Sequence, residues 1–228
     1  MNRLPCFILS RKNSKGLKNK NIKTFLNKPL IQHTIDYAKK TKAITDIIIS
    51  TDDPKVAKIA EKNKCIVIFP RPKKLSNDTA SSVSALYHAA TQMLKNNYDF
   101  DIFAYLQVTE PLRPKNILKE CINNLINDKN INSSFAGYKI KKNFWFNTGI
   151  SYKMISPLRE SFFPRQKRKS ILREDCGIAL ASRKKVLINK KKLYTNPIKI
   201  VPYSGYEGLL DIHSKKDIIL AKTLKKLI

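Results

Sequence analysis

The sequence predicts an α/β fold in which a mostly parallel central sheet is flanked by helices. Short apolar or β-branched runs alternate with segments whose apolar residues recur at helical spacing. The predicted strands lead into polar segments, and ligands bind at the carboxyl ends of strands in parallel α/β sheets. With 228 residues, 42% of them hydrophobic, and without an internal repeat or flexible linker, residues 1–228 are expected to form a single domain.

Strands and helices alternate regularly through the first half of the chain. Strands are predicted at 4–9, 46–50, 65–69 and 102–106. Helices are predicted to begin around Pro29, Pro54 and Pro114, because proline fits the first turn of a helix. A longer helix carries apolar residues at 83–94, behind a cap at 78–82. This order favours parallel strands joined by right-handed crossovers.

The alternation fades in residues 135–173, which are aromatic and basic. This segment holds Trp145, the only tryptophan, and later Phe162, Phe163 and the run PRQKRK. An irregular insertion in a regular α/β chain indicates a subunit contact or a substrate lid, and a surface excursion covering the sheet edge is the alternative. Regular order returns with predicted strands at 177–181 and 197–201 and a closing helix at 218–227.

The first predicted strand leads directly into a basic loop that suits a polyphosphate. Gly16 allows the backbone to come close to a ligand, and Ser14 offers a hydroxyl. Clustered cations on so short a loop repel one another unless an anion or solvent separates them. A solvated basic turn is the alternative. Among the charged and polar residues of the loop are Arg11, Asn13, Ser14, Lys15, Lys18 and Lys20.

The formal net charge of +28 raises the possibility of a nucleic-acid partner. Lysines occur almost everywhere along the chain, however, without the interleaved aromatic residues that stack bases. We therefore expect a solvated, lysine-rich surface and no specific nucleic-acid partner.

The cysteines and the apolar runs indicate a cytoplasmic protein. Cys6, Cys65, Cys121 and Cys176 are far apart, which is typical of reduced thiols and unlike a metal-binding pair or a disulfide scaffold. The N-terminal apolar run is too short for a signal peptide, and no run of about eighteen apolar residues exists that could span a membrane.

Several segments together resemble the CMP-sugar synthetases, the cytidylyltransferases that activate sialic, legionaminic, pseudaminic and related nonulosonic acids with CTP. The likeness covers nearly the whole chain. It is carried by RKNSKG with Lys20 and Asn21, PLIQHTIDYA, IIISTDD, FPRPKKLSNDTASS, LQVTEPLR, PRQ, and Asp211 with Asp217. It implies a Rossmann-like nucleotidyltransferase fold, a protruding dimerisation insertion at 135–173 and a homodimer. The implied reaction is attack of the anomeric hydroxyl of the sugar on the α-phosphorus of CTP, which gives CMP-sugar and pyrophosphate.

The resemblance also implies a role for each matched position on the nucleotide side. The triphosphate would be held by Arg11, Ser14, Lys15 and Lys20. Asn21 would contact the ribose, Arg71 and the Ala80 backbone would read the cytosine edge, and Ser82 would lie near the reacting groups. Because phosphoryl transfer depends mainly on charge neutralisation and positioning, the implied catalytic residues are Arg11, Lys15, Lys20 and Asp211.

On the sugar side the resemblance implies contacts from Gln107 and Thr109, and Arg165 would reach the sugar carboxylate from the neighbouring subunit. Asp211 would hold Mg²⁺ or Mn²⁺. The family's DID motif reads Asp211, Ile212, His213 here, so His213 stands at the second metal position although imidazole is a poor Mg²⁺ ligand.

Other departures from the family pattern are Ser10, Glu110 and Cys176, and Trp145 stands where a lysine is often found. Glu110 would repel an acidic sugar unless it pairs with a cation such as Arg113. These departures leave open a nucleotidyltransferase for a different base or sugar and a catalytically weakened nucleotide-binding homologue. The net charge of +28 leaves open a basic nucleic-acid binder as a further alternative.

Overall fold

A computed structural model describes residues 3–14, 16–155 and 162–226. Within them, eight strands form one central sheet: β1 (Pro5–Ser10), β4 (Asp46–Thr51), β5 (Ile66–Ile68), β6 (Ile102–Gln107), β7 (Ser133–Ile140), β10 (Ile171–Glu174), β11 (Leu180–Arg183) and β12 (Ile198–Tyr203). Their order across the sheet is β10-β7-β11-β6-β1-β4-β5, with β12 paired to β7. The predicted α/β class is therefore confirmed.

Parallel pairing dominates the sheet and sets the position of the strand ends. β1 lies between β4 and β6 and is parallel to both, with Leu9 opposite Ser50 on one side and Gln107 on the other. β5 continues the parallel order beyond β4, and β12 is parallel to β7. Only β10 and β11, among the described strands of this sheet, run antiparallel to their neighbours. The carboxyl ends of β1, β4 and β6 consequently lie side by side.

Helices cover both faces of the sheet. They are α1 (Leu30–Lys40), α2 (Pro54–Lys62), α3 (Ser82–Lys95), α4 (Ile117–Asn127), α5 (Lys184–Ile188) and α6 (Lys215–Lys225). Cys6 and Ile8 of β1 belong to the apolar cluster that includes α1, α2, α4 and α6, and Phe7 belongs to the cluster that includes α3. Alternate residues of one strand are thus buried on opposite faces, as expected for a parallel sheet covered on both sides.

Three predicted helix starts shift by one to three residues. Pro29 precedes α1, because it lies in the short strand β3 (Lys28–Pro29), which pairs with β2 (Thr24–Phe25). α4 begins after Asn116, whose left-handed φ of 66° interrupts helical geometry. α6 begins earlier than predicted, because Ser214 and Asp217 form a capping box.

The irregular segment is shorter than the predicted range 135–173, because both ends of that range belong to strands of the central sheet. β7 pairs with β10, β11 and β12, which all come later in the chain. Between β7 and β10 lies a two-stranded hairpin of β8 (Trp145–Asn147) and β9 (Tyr152–Met154), whose aromatic side chains are largely exposed.

The four cysteines all lie within the described residues and are free thiols, and Cys6, Cys121 and Cys176 are buried. Among the helices that the structure describes, none is both long and apolar enough to cross a membrane.

Candidate active site

A cavity of about 360 Å³ opens at the carboxyl ends of β1 and β6. Its walls come from the loop after β1, the start of α3, the end of β6 and the segment before α6. The predicted site residues that line it are Arg11, Ser14, Lys20, Asn21, Arg71, Ala80, Ser82, Gln107, Thr109 and His213. Residues far apart in sequence therefore meet in one place, as the strand order requires. Lys15 lies outside the described residues, so its role stays a prediction.

Both the side chain and the backbone of Arg11 are held by hydrogen bonds within the protein. Its guanidinium forms an ion pair with Asp78 at 2.9 Å and donates to the carbonyl of Asn77 at 2.7 Å. The side-chain amide of Asn21 donates to the carbonyl of Arg11 at 2.9 Å. Asn21 thus has a structural contact inside the loop in addition to its place on the cavity wall.

Gly16 brings the basic loop against the segment before α6. A Cβ atom on Gly16 would lie only 2.4 Å from the backbone oxygen of His213, which leaves no room for a side chain. We expected Gly16 to let the backbone approach a ligand, but the close approach that the structure shows is to another part of the chain. The first loop and the Asp211–His213 segment therefore share one wall.

Lys20 is a buried cation beside Asp211. It begins the 3₁₀ turn Lys20–Ile22 and is 8% exposed. Burial lowers the pKa of the Lys20 ammonium because it disfavours the charged form, while the carboxylate of Asp211 opposes this shift. An anionic ligand in the cavity would favour the charged form further.

Arg71 is 4% exposed and lies where β4 and β5 end. Its backbone N–H donates to Thr51, its Nε donates to Ser76 Oγ at 3.1 Å, and its Nη2 lies 3.7 Å from the carboxylate of Asp52. Burial lowers the pKa of the guanidinium, and Asp52 opposes that shift. A buried, oriented planar donor of this kind suits recognition of a flat polar ligand.

Asn77 organises the loop that leads into α3. Its Oδ1 accepts hydrogen bonds from the backbone N–H groups of Thr79 and Ala80, at 3.1 and 2.8 Å. The Ala80 N–H is therefore already hydrogen-bonded within the loop. The Ala80 carbonyl oxygen is the backbone group of this residue that could accept a hydrogen bond from a base. Ser81, within the predicted cap, is the N-cap residue of α3 and accepts from the Ser84 N–H at 3.1 Å.

The N-terminus of α3 faces the cavity through Ala80, Ser81 and Ser82. The first N–H groups of a helix and its dipole favour anions at this end. The β6 side of the cavity carries Tyr105, Gln107 and Thr109. Phosphate-binding chemistry and neutral hydrogen-bonding groups thus lie on different walls of the same cavity.

The Glu110–Arg113 pair that the sequence suggested does not form. Arg113 is partly buried, and its guanidinium donates to the carbonyls of Gln107, Gly177 and Ile178 and to the hydroxyl of Thr34. Arg113 acts on Glu110 only through space, and burial raises the pKa of the Glu110 carboxyl to about 8.

Asp211 and His213 lie next to the cavity and contact each other. His213 Nε2 is 2.8 Å from Asp211 Oδ2, and both side chains are at least half exposed. Asp217, which the resemblance also matched, accepts from the N–H groups of His213 and Ser214 as part of the capping box. Within the described ranges, no group of three or more His, Cys, Asp or Glu side chains could hold a metal ion.

Arg165 comes from a different part of the structure. It lies in the exposed 3₁₀ turn Arg165–Lys167 and is not one of the cavity-lining residues of its own chain. Its predicted contact with a ligand of the neighbouring subunit stays a prediction.

Sequence reasoning did not assign roles to Asn77, to Asp78 beyond capping, or to Tyr105, all of which line the cavity. Asn77 and Asp78 stand inside the matched SNDTASS segment, so a closer consideration of turn-forming Asn-Asp pairs could have found them. Tyr105 lies in the middle of an apolar strand, and nothing in the local sequence distinguishes it from a core residue.

Comparison with known proteins identifies the family of the chain. Residues 6–176 match a protein-family model described as cytidylyltransferase. A pseudaminic acid cytidylyltransferase of Campylobacter jejuni is 35% identical over 146 residues, which are 62% of this chain and 62% of that protein. This match therefore spans less than two thirds of that relative's length. A CMP-N,N'-diacetyllegionaminic acid synthase of Legionella pneumophila is 24% identical over 227 residues, or 99% of this chain and 97% of that protein.

Solved structures show the same fold. A CMP:2-keto-3-deoxy-manno-octonic acid synthetase complexed with CTP matches with a TM-score of 0.72 and 18% identity over 99% of both chains. A 4-diphosphocytidyl-2C-methyl-D-erythritol synthase from Anaerococcus prevotii matches with a TM-score of 0.66 and 13% identity over 99% of both chains. From the family match, the chain belongs to the cytidylyltransferase family.

Proposed function

We propose that this protein transfers CMP from CTP to the anomeric hydroxyl of an acidic sugar of the nonulosonic class and releases pyrophosphate. The observation that carries the proposal is the cavity itself, which gathers a basic loop, a helix N-terminus, a buried arginine and neutral hydrogen-bonding side chains. Relatives named for pseudaminic and legionaminic acid support the choice of sugar class.

The phosphates of CTP would lie against Arg11, Ser14, Lys20 and the N-terminus of α3, with Lys15 also expected there from the resemblance. Arg11 is already oriented by Asp78, and Lys20 is buried, so little side-chain freedom remains to be lost when the anion binds. These cations would stabilise the charge that develops on the leaving pyrophosphate.

Cytosine would be read by Arg71 and the Ala80 carbonyl. Cytosine carries an exocyclic amine that donates, which suits a carbonyl acceptor, and ring acceptors that suit a guanidinium. Asn77 supports this assignment because it holds the Ala80 backbone in place. Asn21 would lie near the ribose.

The acidic sugar would meet Gln107 and Thr109 on the β6 side, with Ser82 near the reacting groups. In the reaction, the anomeric oxygen forms a bond to the α-phosphorus as the bond from that phosphorus to the bridging oxygen of pyrophosphate breaks. The bonding electrons leave with pyrophosphate, and the hydroxyl proton passes to water. The chain's contribution is to align the two substrates and to exclude alternative orientations.

Asp211 would hold Mg²⁺ or Mn²⁺. Mg²⁺ sites commonly combine one or two carboxylates with substrate phosphates, and Asp211 offers one carboxylate next to Lys20. When bound, the ion would neutralise phosphate charge. His213 fits Mn²⁺ better than Mg²⁺, because imidazole suits softer ions.

The test is pyrophosphate release with a panel of nonulosonic and related eight-carbon acidic sugars, in Mg²⁺ and in Mn²⁺. Release should require CTP, an acidic sugar and a divalent ion together. Lys20→Met should lower kcat/KM at least 100-fold, whereas Lys18→Met, an exposed lysine of the same loop, should change it less than twofold. No release on any sugar, or equal rates for the two variants, would refute the proposal.

A catalytically weakened homologue is the second candidate. The second position of the metal motif is His213 in place of aspartate, and its imidazole contacts the carboxylate of Asp211. His213→Asp distinguishes the two. A large gain in turnover would identify a degenerate metal site, and unchanged turnover would show that the histidine is compatible with activity. Preference for GTP over CTP in thermal-shift measurements would instead indicate a different base specificity.

We further propose a cytoplasmic homodimer formed through the β8–β9 hairpin. The hairpin exposes the aromatic side chains of Trp145, Phe146 and Tyr152, and Trp145 is 55% exposed. Exposed apolar patches of this kind mark interaction surfaces. Light scattering should give a dimer mass for the wild type and a monomer mass for Trp145→Asp.

A further inference from the structure

Glu110 has a buried carboxyl oxygen without a partner. The residue is 9% exposed, and its Oε2 has no hydrogen-bond partner among the described residues. A buried polar atom without a hydrogen bond is unfavourable and calls for an explanation. Such an atom next to a binding site is a candidate for contact with the ligand.

The unpartnered oxygen lies near Gln107, a residue of the β6 side of the cavity. A Cβ atom on Gly177 would be 2.5 Å from Glu110 Oε2 and 2.9 Å from Gln107 Cδ, so both side chains pack against the same side of Gly177. Gln107 and Thr109 line the cavity. The carboxyl of Glu110 therefore lies beside Gln107, one of the two residues expected to meet the sugar.

The charged groups around Glu110 do not neutralise it by direct pairing. Arg113 is occupied by backbone carbonyls, and Arg173 pairs with Asp175 at 2.9 Å. Asp211 and Asp175 add negative charge nearby, and the other titratable groups that interact with it are Tyr105, Cys176 and Tyr203. Burial raises the pKa of Glu110 to about 8, so the carboxyl keeps its proton at neutral pH. In that form it can donate a hydrogen bond without repelling an anionic sugar.

We propose that Glu110 is a specificity-determining residue whose carboxyl group hydrogen-bonds a polar ring substituent, a hydroxyl or an acylamino group, of the acidic sugar. This inference rests on the proposed function and narrows it to sugars with such a substituent beside Gln107. A site with a buried hydrogen-bonding group rejects analogues that lack the partner more strongly than an apolar site does.

The test compares Glu110→Gln and Glu110→Ala with the wild type, and Glu61→Gln, on the exposed face of α2, serves as the matched control. Sugars that differ at one ring substituent are assayed, and KM for CTP is measured separately. We expect Glu110→Ala to lower kcat/KM about 10- to 100-fold for sugars that carry the recognised substituent, with little effect on sugars that lack it. KM for CTP should stay within about twofold.

A second readout is the pH profile of the sugar KM. In the wild type this KM should rise above about pH 8, as the carboxyl ionises, and Glu110→Gln, which has the same shape and no proton to lose, should remove the rise. An equal loss for every sugar, a parallel rise of KM for CTP, or unchanged kinetics in both variants would overturn the assignment while leaving the proposed function intact. Failure of the wild type to release pyrophosphate with any sugar would refute the proposed function and this assignment with it.

Discussion

Replacing Gly16 by alanine tests whether the basic loop and the segment before α6 act as one wall. The added Cβ would lie 2.4 Å from the backbone oxygen of His213, whereas ordinary contacts of this kind begin at about 3.4 Å. Because the obstacle is backbone, the loop and the Asp211–His213 segment must separate by about 1 Å. A misplacement of this size can cost about 100-fold in rate, so we expect kcat/KM to fall about 100-fold.

Steady-state pyrophosphate release measures this effect, and circular dichroism with thermal melting checks that the variant is folded. Gly205→Ala is the matched control, because the added Cβ there would meet the carboxylate of the Glu207 side chain, which can move. A folded Gly16→Ala protein with wild-type kcat/KM would show that the contact between Gly16 and His213 has no role in the reaction.

Three further predictions concern base recognition, pH and capping. Arg71→Lys keeps the charge but loses the planar donor, so KM for CTP should rise about tenfold while KM for the sugar does not change; an unchanged KM for CTP would exclude Arg71 from base recognition. The pKa of Glu110 is raised from 4.5 to about 8, so the folded protein holds this proton more tightly than the unfolded chain does, and the contribution of Glu110 to the free energy of unfolding should be greatest below pH 4.5 and fall by up to about 5 kcal/mol by pH 8. Urea unfolding at several pH values should show a smaller fall for Glu110→Gln, and parallel curves would contradict this. Ser214→Ala should cost about 1 kcal/mol by removing the N-cap of α6. Calorimetry should then show a melting temperature lower by about 2–4 °C, with Ser204→Ala as the control and an unchanged value as the contrary result.

The parts of the fold that sequence predicted best are those specified locally. β1, β4 and β6 are apolar runs that lead into polar residues, and their neighbours carry helical periodicity, so both the elements and their parallel order could be inferred. β7 was missed because Ser133, Ser134 and Gly137 weaken its strand pattern. Its pairing depends on β10, β11 and β12, which follow it in the chain.

In the candidate site, too, the sequence predicted one part, the identity of the residues, and did not predict the other, the contacts among them. The residues that the motifs mark, such as Lys20, Arg71 and Gln107, do line one cavity. The contacts among them were not predictable, since they join distant parts of the chain. Gly16 contacts His213, which lies near the opposite end of the sequence. Glu110 Oε2 has no hydrogen-bond partner among the described residues, because Arg113 donates to backbone carbonyls instead.

Arg113 also determines how this region can tolerate mutation. Its acceptors are mainly backbone carbonyls, which every amino acid provides, so the side chains at positions 107 and 178 could change during evolution without loss of those hydrogen bonds, whereas Gly177 has no room for a side chain beside Glu110. Arginine itself has no such substitute, because lysine lacks the fork that reaches several acceptors at once. Substitutions should therefore be tolerated at residues that contact Arg113 only through their backbone, and not at Arg113 itself. Ligand preference could then change while the hydrogen bonds made by Arg113 remain.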